Sequence, residues 1–303
     1  MKPPFDFAVE DYPLAPLTLY KIGGPADLAL LPRNVAEART AYEWLLEQPG
    51  RKIVLGGGSN VLIDDRGIRG IVLVTTHFNS IDSLGGGRYH IEAGTILDRV
   101  VQDVMLANNY AGVGGLTGIP GTVGGAIYMN AGTVNGSTCQ HMESVEIIDS
   151  EGCRVVPIDE SRYSYRGQDF CSSGGLILRG LFHFEKTDEP QRPIYDHYIQ
   201  RRREKQPKGN CCGSVFKNPP GDHAGRLIES CALKGTRRGG AQISPMHANF
   251  IMNDDKATFD DIRGLIALCR ATVQERHGVT LETEVVIVRA AEDAAPTAAP
   301  QFL

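Results

Sequence analysis

No run of apolar residues in this sequence approaches the ~20 residues that a membrane-spanning helix needs. The N-terminal residues also lack the apolar core of a secretory signal. An excess of positive charge is absent too, because the formal net charge at pH 7 is −5, which argues against general nucleic-acid binding. These absences predict a cytoplasmic protein with no nucleic-acid partner and no membrane insertion, and we expect it to be a monomer.

Cysteine pairs at metal-binding spacing are also missing. The seven cysteines are an odd number, scattered along the chain, and none forms a Cys-x-x-Cys motif. Such spacing is typical of neither a disulfide framework nor a structural zinc site. The sequence therefore predicts no metal, and cysteines that are mostly small core or surface residues.

What the chain has in abundance is glycine, concentrated in two stretches. Residues 114–132 contain seven glycines among apolar and small residues, with no acid or base. Residues 56–60 follow a short apolar run and consist of three glycines, Ser59 and Asn60. Glycine permits positive φ and a close approach of backbone amides to a ligand, so the two stretches favour a phosphate site. For the longer stretch, a tight buried crossover is the alternative.

Strand-like and helix-like segments follow one another along the chain and predict an α+β fold. One amphipathic helix is predicted after Asn34, and capping boxes are predicted at Thr95 and at Thr258. Residues 190–207 read as a connecting helix, and residues 281–288 read as a final strand.

The connecting helix carries Arg201, Arg202, Arg203 and Lys205 in one basic run. Such a run is usually a solvated helix face. Contact with a phosphate is the second interpretation.

Three side chains outside the glycine stretches have chemistry that an enzyme can use. Ser214, in a turn of small residues, is a candidate nucleophile or proton donor, or else a turn serine. Arg166 can hold a carboxylate through two hydrogen bonds, or it is a surface arginine. Glu284 shares a strand face with Glu282, so that either a carboxylate faces a cleft or the face is solvated. From the residues alone, we predict a nucleotide-dependent enzyme without naming its reaction.

Six motifs occur in an order that resembles one enzyme family. They are YKIGGPA at 20–26, LGGGSNVL at 55–62, GIPGTVGG at 118–125, YR at 165–166, GSVFKNP at 213–219 and LETEV at 281–285. Together they closely resemble the UDP-N-acetylenolpyruvoylglucosamine reductase family, the MurB flavoenzymes of bacterial cell-wall synthesis. The resemblance runs from about residue 16 to residue 288.

The resemblance implies a two-part FAD-binding domain of the vanillyl-alcohol-oxidase type and a separate α+β substrate-binding domain. The implied boundaries are 1–78 and 79–200 for the two FAD-binding parts, 205–290 for the substrate domain with the Glu284 strand reaching the active site, and 291–303 for a flexible tail. The short interval between the YR and GSVFKNP motifs resembles the shorter of two subclasses, which lacks an extra substrate-covering tyrosine loop.

The cofactors implied by the resemblance are non-covalent FAD and NADPH, which reduces the flavin. The FAD pyrophosphate is expected near residues of both glycine-rich stretches. These are Gly56, Gly57, Gly58, Ser59, Asn60, Gly121, Thr122, Gly124 and Gly125.

The implied reaction reduces the enolpyruvyl group of UDP-N-acetylglucosamine enolpyruvate to give UDP-N-acetylmuramate, a peptidoglycan precursor. Hydride goes from flavin N5 to C3 of the enolpyruvyl group, and a proton goes to C2. Ser214 matches the family's proton donor, while Arg166 and Glu284 match its pair at the substrate carboxylate, where negative charge develops. The residues expected toward the UDP-sugar are Tyr165, Lys217, Asn218, Arg226 and Glu229.

Two other functions stay open on this sequence. One is a flavin oxidase of the same fold, whose reduced flavin would react rapidly with O₂ without an enolpyruvyl substrate. The other is a non-catalytic nucleotide-binding protein, which would take up no FAD.

Overall fold

The computed structural model describes residues 3–171, 174–290 and 300–303, which form helices α1 to α7 and strands β1 to β19. The helices are α1 (Val35–Glu47), α2 (Leu97–Arg99), α3 (Val113–Leu116), α4 (Val123–Tyr128), α5 (Gln191–Lys205), α6 (Ala224–Ser230) and α7 (Phe259–His277). The strands are β1 (Ala8–Pro13), β2 (Pro25–Leu30), β3 (Arg51–Leu55), β4 (Val61–Ile63), β5 (Ile68–Val74), β6 (Ile81–Gly85), β7 (Arg88–Glu92), β8 (Gly132–Thr133), β9 (Gly136–Ser137), β10 (Met142–Asp149), β11 (Gly152–Pro157), β12 (Tyr163–Ser164), β13 (Gly167–Gln168), β14 (Leu176–His183), β15 (Arg237–Arg238), β16 (Ala241–Ile243), β17 (Ile251–Asn253), β18 (Val286–Val288) and β19 (Gln301–Phe302). A π-helical segment, Val100–Leu106, continues α2. Among the described residues, no helix combines the length and the apolar character that crossing a bilayer requires.

The first sheet has the strand order β1-β2-β5-β3-β19. β1 pairs antiparallel with β2, and the remaining neighbours pair in parallel. Parallel strands are covered on both faces and therefore read as near-continuous apolar runs, as residues 53–55 and 71–74 do. Ile53, Leu55 and Val72 are fully buried in the core beneath this sheet.

The expectation of a flexible tail over 291–303 is only partly addressed by the structure. Residues 291–299 lie outside the described residues. Gln301–Phe302 do not continue as a tail but form β19, which pairs in parallel with β3. The backbone oxygen of Leu303 accepts a hydrogen bond from the amide of Gly56, so this segment ends beside the first glycine stretch.

The second sheet is antiparallel throughout, with the order β11-β10-β14-β7-β6. Helix α1 buries Ala38, Tyr42 and Leu45 in the core that this sheet shares. The predicted start of α1 is confirmed, because the Asn34 side chain accepts a hydrogen bond from the amide of Glu37. This sheet supports the glycine-rich stretch, since the amide of Gly124 donates to Ala93 just after β7.

A third unit combines the antiparallel sheet β15-β16-β17 with helices α6 and α7 around its own core. The capping box at Thr258 is confirmed, and α7 ends at Gly278, which has a φ of 68°. The first helical amide, at Phe259, donates to Asp65 of the loop after β4 at 2.7 Å. A hydrogen bond at the start of its longest helix therefore joins the third unit to the loop that leads into β5 of the first sheet.

Two local predictions are wrong. The capping box at Thr95 does not form, because the helix begins at Leu97 and the Thr95 hydroxyl donates instead to the carbonyl of Ser80. The predicted strand over 281–288 shortens to β18, which pairs in parallel with β4. Glu284 lies in the bend before β18 rather than in a strand, because the backbone there turns toward residue 215.

Replacing Thr258 with alanine should lower the free energy of unfolding by about 1 kcal/mol, since the N-terminal amides of α7 lose their side-chain acceptor. Thr40→Ala is the matched control, because Thr40 lies on an exposed face within α1. Denaturant unfolding of the two variants measures the difference. If the two variants are equally stable, the hydrogen bonds that Asp65 and Asp261 accept from the first amides of α7 hold this helix end without the threonine.

Candidate active site

A cavity of about 940 Å³ lies where the two glycine stretches, helix α5 and the third unit approach one another. Its size is in the range of cofactor and ligand sites in proteins. Residues from each of these parts line it, and those that bear on its chemistry are Gly57, Gly58, Ser59, Asn60, Thr122, Gly125, Tyr165, Arg166, Arg201, Arg202, Lys205, Ser214, Asn218, His247 and Glu284.

The two glycine stretches meet backbone to backbone at one wall of this cavity. A Cβ atom on Gly57 would lie 3.0 Å from the Cα of Gly121 and 3.1 Å from the nitrogen of Thr122. A Cβ on Gly121, which has a φ of 109°, would collide with the Ser59 hydroxyl. The Gly57 amide also donates to the Thr122 hydroxyl at 3.2 Å. Glycine at both positions therefore lets the loops touch without displacing either backbone.

The juxtaposed loops fit a pyrophosphate. The backbone amides of Gly58, Ser59 and Asn60 have no acceptor within the described part of the chain, although they lie beside the cavity. Successive amides of this kind make an anion-binding concavity. The donor set and the space in front of it suit a dinucleotide such as FAD.

The nine residues predicted to hold FAD divide into two groups. Six of them line the cavity, namely Gly57, Gly58, Ser59, Asn60, Thr122 and Gly125. The other three residues do not line the cavity. At these positions, Gly56, Gly121 and Gly124, the absence of a side chain leaves room for neighbouring backbone or side-chain atoms to pack behind the cavity wall. The side-chain amide of Asn60 donates to the carbonyl of Glu284 at 3.0 Å.

Arg166 and Glu284 form an ion pair inside the cavity. The Arg166 Nε lies 2.8 Å from Glu284 Oε1, and both side chains are about four-fifths buried, at 21% and 16% exposed. Arg166 occupies the turn between β12 and β13 with a φ of 56°, and its Nη2 donates to the Gly132 carbonyl at 3.0 Å. The Tyr165 ring lies 5.0 Å from the guanidinium carbon. Two hydrogen bonds and a ring contact thus hold the guanidinium in one place.

Gln168 supports this turn indirectly. Its side-chain oxygen accepts a hydrogen bond from the Cys171 amide at 2.7 Å. The Asn130 side chain, from the end of the longer glycine stretch, donates to the Ser164 carbonyl at 2.9 Å. The Arg166 turn is therefore anchored on both sides without any contact from Gln168 to the guanidinium.

Ser214 is brought to the same place by a backbone contact. The Glu284 amide donates to the Val215 carbonyl at 2.8 Å. The backbones of Phe216 and Thr283 form an isolated antiparallel β-bridge beside it. These contacts set Ser214 and Glu284 side by side on the cavity wall. Three side chains that are far apart in sequence, at positions 166, 214 and 284, therefore face one space.

Two cysteines precede Ser214, at Cys211 and Cys212. Burial raises the pKa of both thiols above the ordinary value. They are therefore protonated at neutral pH, and neither is an activated nucleophile.

The residues predicted to face the UDP-sugar are only partly brought together. Tyr165 and Asn218 line the cavity. Lys217, Arg226 and Glu229 do not line it, and their nearest charged partners are Glu282, Asp222 and Lys234 respectively.

Several lining residues were not singled out by the sequence analysis as site residues. They are Tyr198, Gln206, His223, His247 and Phe250. His247 lies before β17, and burial lowers the pKa of its imidazole. No local signal distinguishes these residues, because their place on the cavity depends on how distant elements pack.

Comparison with known proteins extends what the geometry shows. Residues 26–156 match the family model of an FAD binding domain, and residues 205–288 match that of the UDP-N-acetylenolpyruvoylglucosamine reductase C-terminal domain. The UDP-N-acetylenolpyruvoylglucosamine reductase of Shouchella clausii (strain KSM-K16) is 38% identical over 284 residues, which cover 92% of this chain and 90% of that protein. The chain belongs to the UDP-N-acetylenolpyruvoylglucosamine reductase family.

Other members of this reductase family agree with that assignment. The Myxococcus xanthus (strain DK1622) protein of the same name is 39% identical over 280 residues, covering 90% of this chain and 89% of its own length. The crystal structure of MurB from Thermus caldophilus superposes with a TM-score of 0.78 at 32% identity, covering 93% of this chain and 98% of that one. The expected α+β fold class, with an FAD-binding domain and a separate reductase-family domain, is confirmed.

The contact between the glycine stretches gives a direct test of the cofactor wall. Gly57→Ala should weaken FAD binding by about 10-fold or more, because overpacking of this kind costs about 1–3 kcal/mol. The dissociation constant of FAD, measured by fluorescence on reconstitution of apoprotein, gives the effect. Gly85→Ala is the control: its φ of 81° makes alanine strained there, but this exposed residue does not line the cavity and a Cβ meets nothing within 4 Å, so FAD affinity should be unchanged. Equal FAD affinity in the two variants would contradict the proposed wall.

Proposed function

We propose that this chain reduces the enolpyruvyl group of UDP-N-acetylglucosamine enolpyruvate to give UDP-N-acetylmuramate in peptidoglycan precursor synthesis. It is an FAD-dependent oxidoreductase of the UDP-N-acetylenolpyruvoylglucosamine reductase family that uses NADPH as hydride donor. The observation that carries the proposal is the convergence of Arg166, Ser214 and Glu284 on one cavity beside the glycine loops.

FAD would be held without a covalent bond, and when bound it takes up hydride from NADPH and delivers it to C3 of the enolpyruvyl group. The amides of Gly58, Ser59 and Asn60 would donate to its pyrophosphate, with Gly57, Thr122 and Gly125 beside them. Gly56, Gly121 and Gly124 would act behind them by permitting close packing.

Arg166 is proposed to hold the substrate carboxylate. Hydride addition at C3 moves negative charge onto C2 and this carboxylate, as in an enolate, and a fixed guanidinium stabilises charge where it develops. The fork of Arg166 is already oriented by the Gly132 carbonyl, so little reorganisation is needed. Glu284, which is paired with Arg166 in the structure, is proposed to lie at the same carboxylate.

Ser214 is proposed to donate the proton to C2. Its hydroxyl hydrogen goes to C2 while the new C–H bond forms, and water in the cavity returns a proton to the serine oxygen. The adjacent Glu284 segment fixes the position of this serine through the Val215 carbonyl.

The remaining assignments are also proposals. Tyr165 and Asn218 are placed toward the UDP-sugar because they line the cavity, and Lys217, Arg226 and Glu229 are kept as substrate residues from the family pattern. We keep the boundaries 1–78, 79–200 and 205–290, and the shorter subclass. We also propose a cytoplasmic location, a monomeric state and, on the charge of −5, no nucleic-acid partner.

The fate of hydrogen atoms tests this function. With unlabelled NADPH in D₂O, under argon, the product should carry deuterium at C2 of its lactyl group, and at C3 as well where the exchangeable N5–H of the reduced flavin takes deuterium from solvent before transfer. With NADPH deuterated at the transferred position in H₂O, any deuterium in the product should lie at C3 and none at C2. Consumption of NADPH only in the presence of O₂, with the sugar unchanged, would favour a flavin oxidase. A purified protein that takes up no FAD would favour a non-catalytic nucleotide-binding protein.

A further inference from the structure

The loop between β16 and β17 holds a buried asparagine against the segment of the proposed proton donor. Asn249 is 3% exposed and does not line the cavity, and no step proposed above uses it. Its side-chain oxygen accepts a hydrogen bond from the Phe216 amide at 3.0 Å, and its side-chain nitrogen donates to the Phe216 carbonyl at 2.8 Å. Its backbone oxygen accepts from the Val215 amide at 2.8 Å. Asn249 thus makes three hydrogen bonds to the two residues that follow Ser214.

The Ser214 segment is held from two sides. On one side the Val215 carbonyl accepts from the Glu284 amide, and on the other side Asn249 supplies both a donor and an acceptor to the backbone of Phe216. Within the described residues, Ser214 itself makes no backbone hydrogen bond, so its position depends on these neighbours. Val215 and Phe216 are at most 1% exposed, and their backbone groups would be left buried without a partner if Asn249 were lost.

The loop that carries Asn249 is itself fixed by local hydrogen bonds. The buried Ser244 hydroxyl accepts from the amides of Met246 and His247. The Asn249 amide in turn donates to Nδ1 of His247 at 3.2 Å. Because these contacts hold the loop, it can impose a position on the Ser214 segment rather than follow it.

We propose that Asn249 is a positioning residue for proton donation, which keeps the Ser214 hydroxyl within reach of C2 of the substrate. A hydroxyl donates a proton only within hydrogen-bond reach of the accepting atom, and a displacement of about 1 Å can cost about 10²-fold in rate. The inference rests on the proposed function, because it assumes that Ser214 is the donor.

A double-mutant cycle separates positioning from stability. Asn249→Ser removes the side-chain contacts to Phe216, and it should slow reoxidation of the reduced flavin by the enolpyruvyl sugar by about 10- to 10²-fold. In a Ser214→Ala background, the same substitution should change that rate by less than about 2-fold, because the donor that Asn249 positions is already absent. Stopped-flow absorbance measures both rates. Flavin reduction by NADPH and the dissociation constant of FAD should stay at wild-type values.

Asn253→Ser is the matched control. Asn253 lies in β17 of the same unit, and its side chain donates to the Tyr20 carbonyl and accepts from the Ala257 amide, both at 2.8 Å. Neither partner lines the cavity. The control should lose stability to denaturant as Asn249→Ser does, while its reoxidation by the sugar stays at the wild-type rate.

Asn249→Asp keeps the test decisive should the serine variant fold poorly. A protonated carboxyl group reproduces both contacts to Phe216, whereas a carboxylate has no donor for the Phe216 carbonyl. Burial favours the protonated form. The reoxidation rate of this variant, relative to wild type at the same pH, should therefore rise as the pH falls from about 8 to about 6.

Two results would overturn the positioning role. One is reoxidation at the wild-type rate in Asn249→Ser, or in Asn249→Asp across this pH range. The other is equal slowing by Asn249→Ser with and without the Ser214 hydroxyl, which would mean that the asparagine does not act through this serine. Failure of the proposed function is separate, since the wild-type protein would then leave the sugar unreduced.

Discussion

Ser214→Ala should slow reoxidation of the reduced flavin by the enolpyruvyl sugar by at least ~10²-fold, because proton donation in the transition state is lost. Reduction of the flavin by NADPH should be unaffected, since no proton from this serine is needed there. Stopped-flow absorbance resolves the two half-reactions. Ser214→Cys should recover part of the rate, since a thiol of similar size can also donate a proton.

The matched control for this serine is Ser230→Ala. The Ser230 hydroxyl donates to the Leu227 carbonyl within its own helix, away from the cavity lining. Both half-reactions should proceed at wild-type rates in the control. A Ser214→Ala enzyme that is reoxidised as fast as wild type would remove Ser214 from the proton-donor role and leave water as the donor.

Arg166→Gln should lower the rate of the same oxidative half-reaction by about 10²–10³-fold, since a preorganised donor at developing negative charge is lost. It also leaves Glu284 without its 2.8 Å partner. The apparent affinity for the enolpyruvyl sugar should fall together with the rate, which separates Arg166 from Ser214. Arg166→Lys should be intermediate, because an ammonium keeps the charge but not the two-pronged geometry.

Arg162→Gln is the control for Arg166. Arg162 lies four residues earlier and is paired with Asp169, and it does not line the cavity. If both arginine variants reduced the enolpyruvyl sugar equally well, charge at position 166 would have no part in the reaction.

Much of the local structure could be predicted because its causes are local. The start of α1 depends on Asn34 and Glu37, which are three residues apart, and the glycine stretches carry their backbone freedom in their own composition. The capping box at Thr95 failed for a reason that is not local. The Thr95 hydroxyl is taken by the Ser80 carbonyl, which the fold brings beside it.

The site required packing information that single segments do not contain. Arg166 and Glu284 are separated by 118 positions, and their pairing was expected only through the family resemblance. Asn60 was expected at the pyrophosphate from its place in a glycine loop, and the hydrogen bond from its side chain to the Glu284 carbonyl could not be predicted from that loop. The side toward which the basic run of α5 faces could not be predicted either. It depends on close packing of this helix against Gly114 and Gly118, which lie in another part of the chain.

The proposed reaction depends on flavin chemistry with two separate nucleotide substrates. Its most direct test is the absorption spectrum of the purified protein, recorded under argon during sequential addition of NADPH and the enolpyruvyl sugar. We predict an oxidised flavin spectrum that NADPH bleaches and that the sugar restores, with one sugar reduced for each NADPH consumed. A colourless protein, or a bleached flavin that only O₂ restores, would contradict the account.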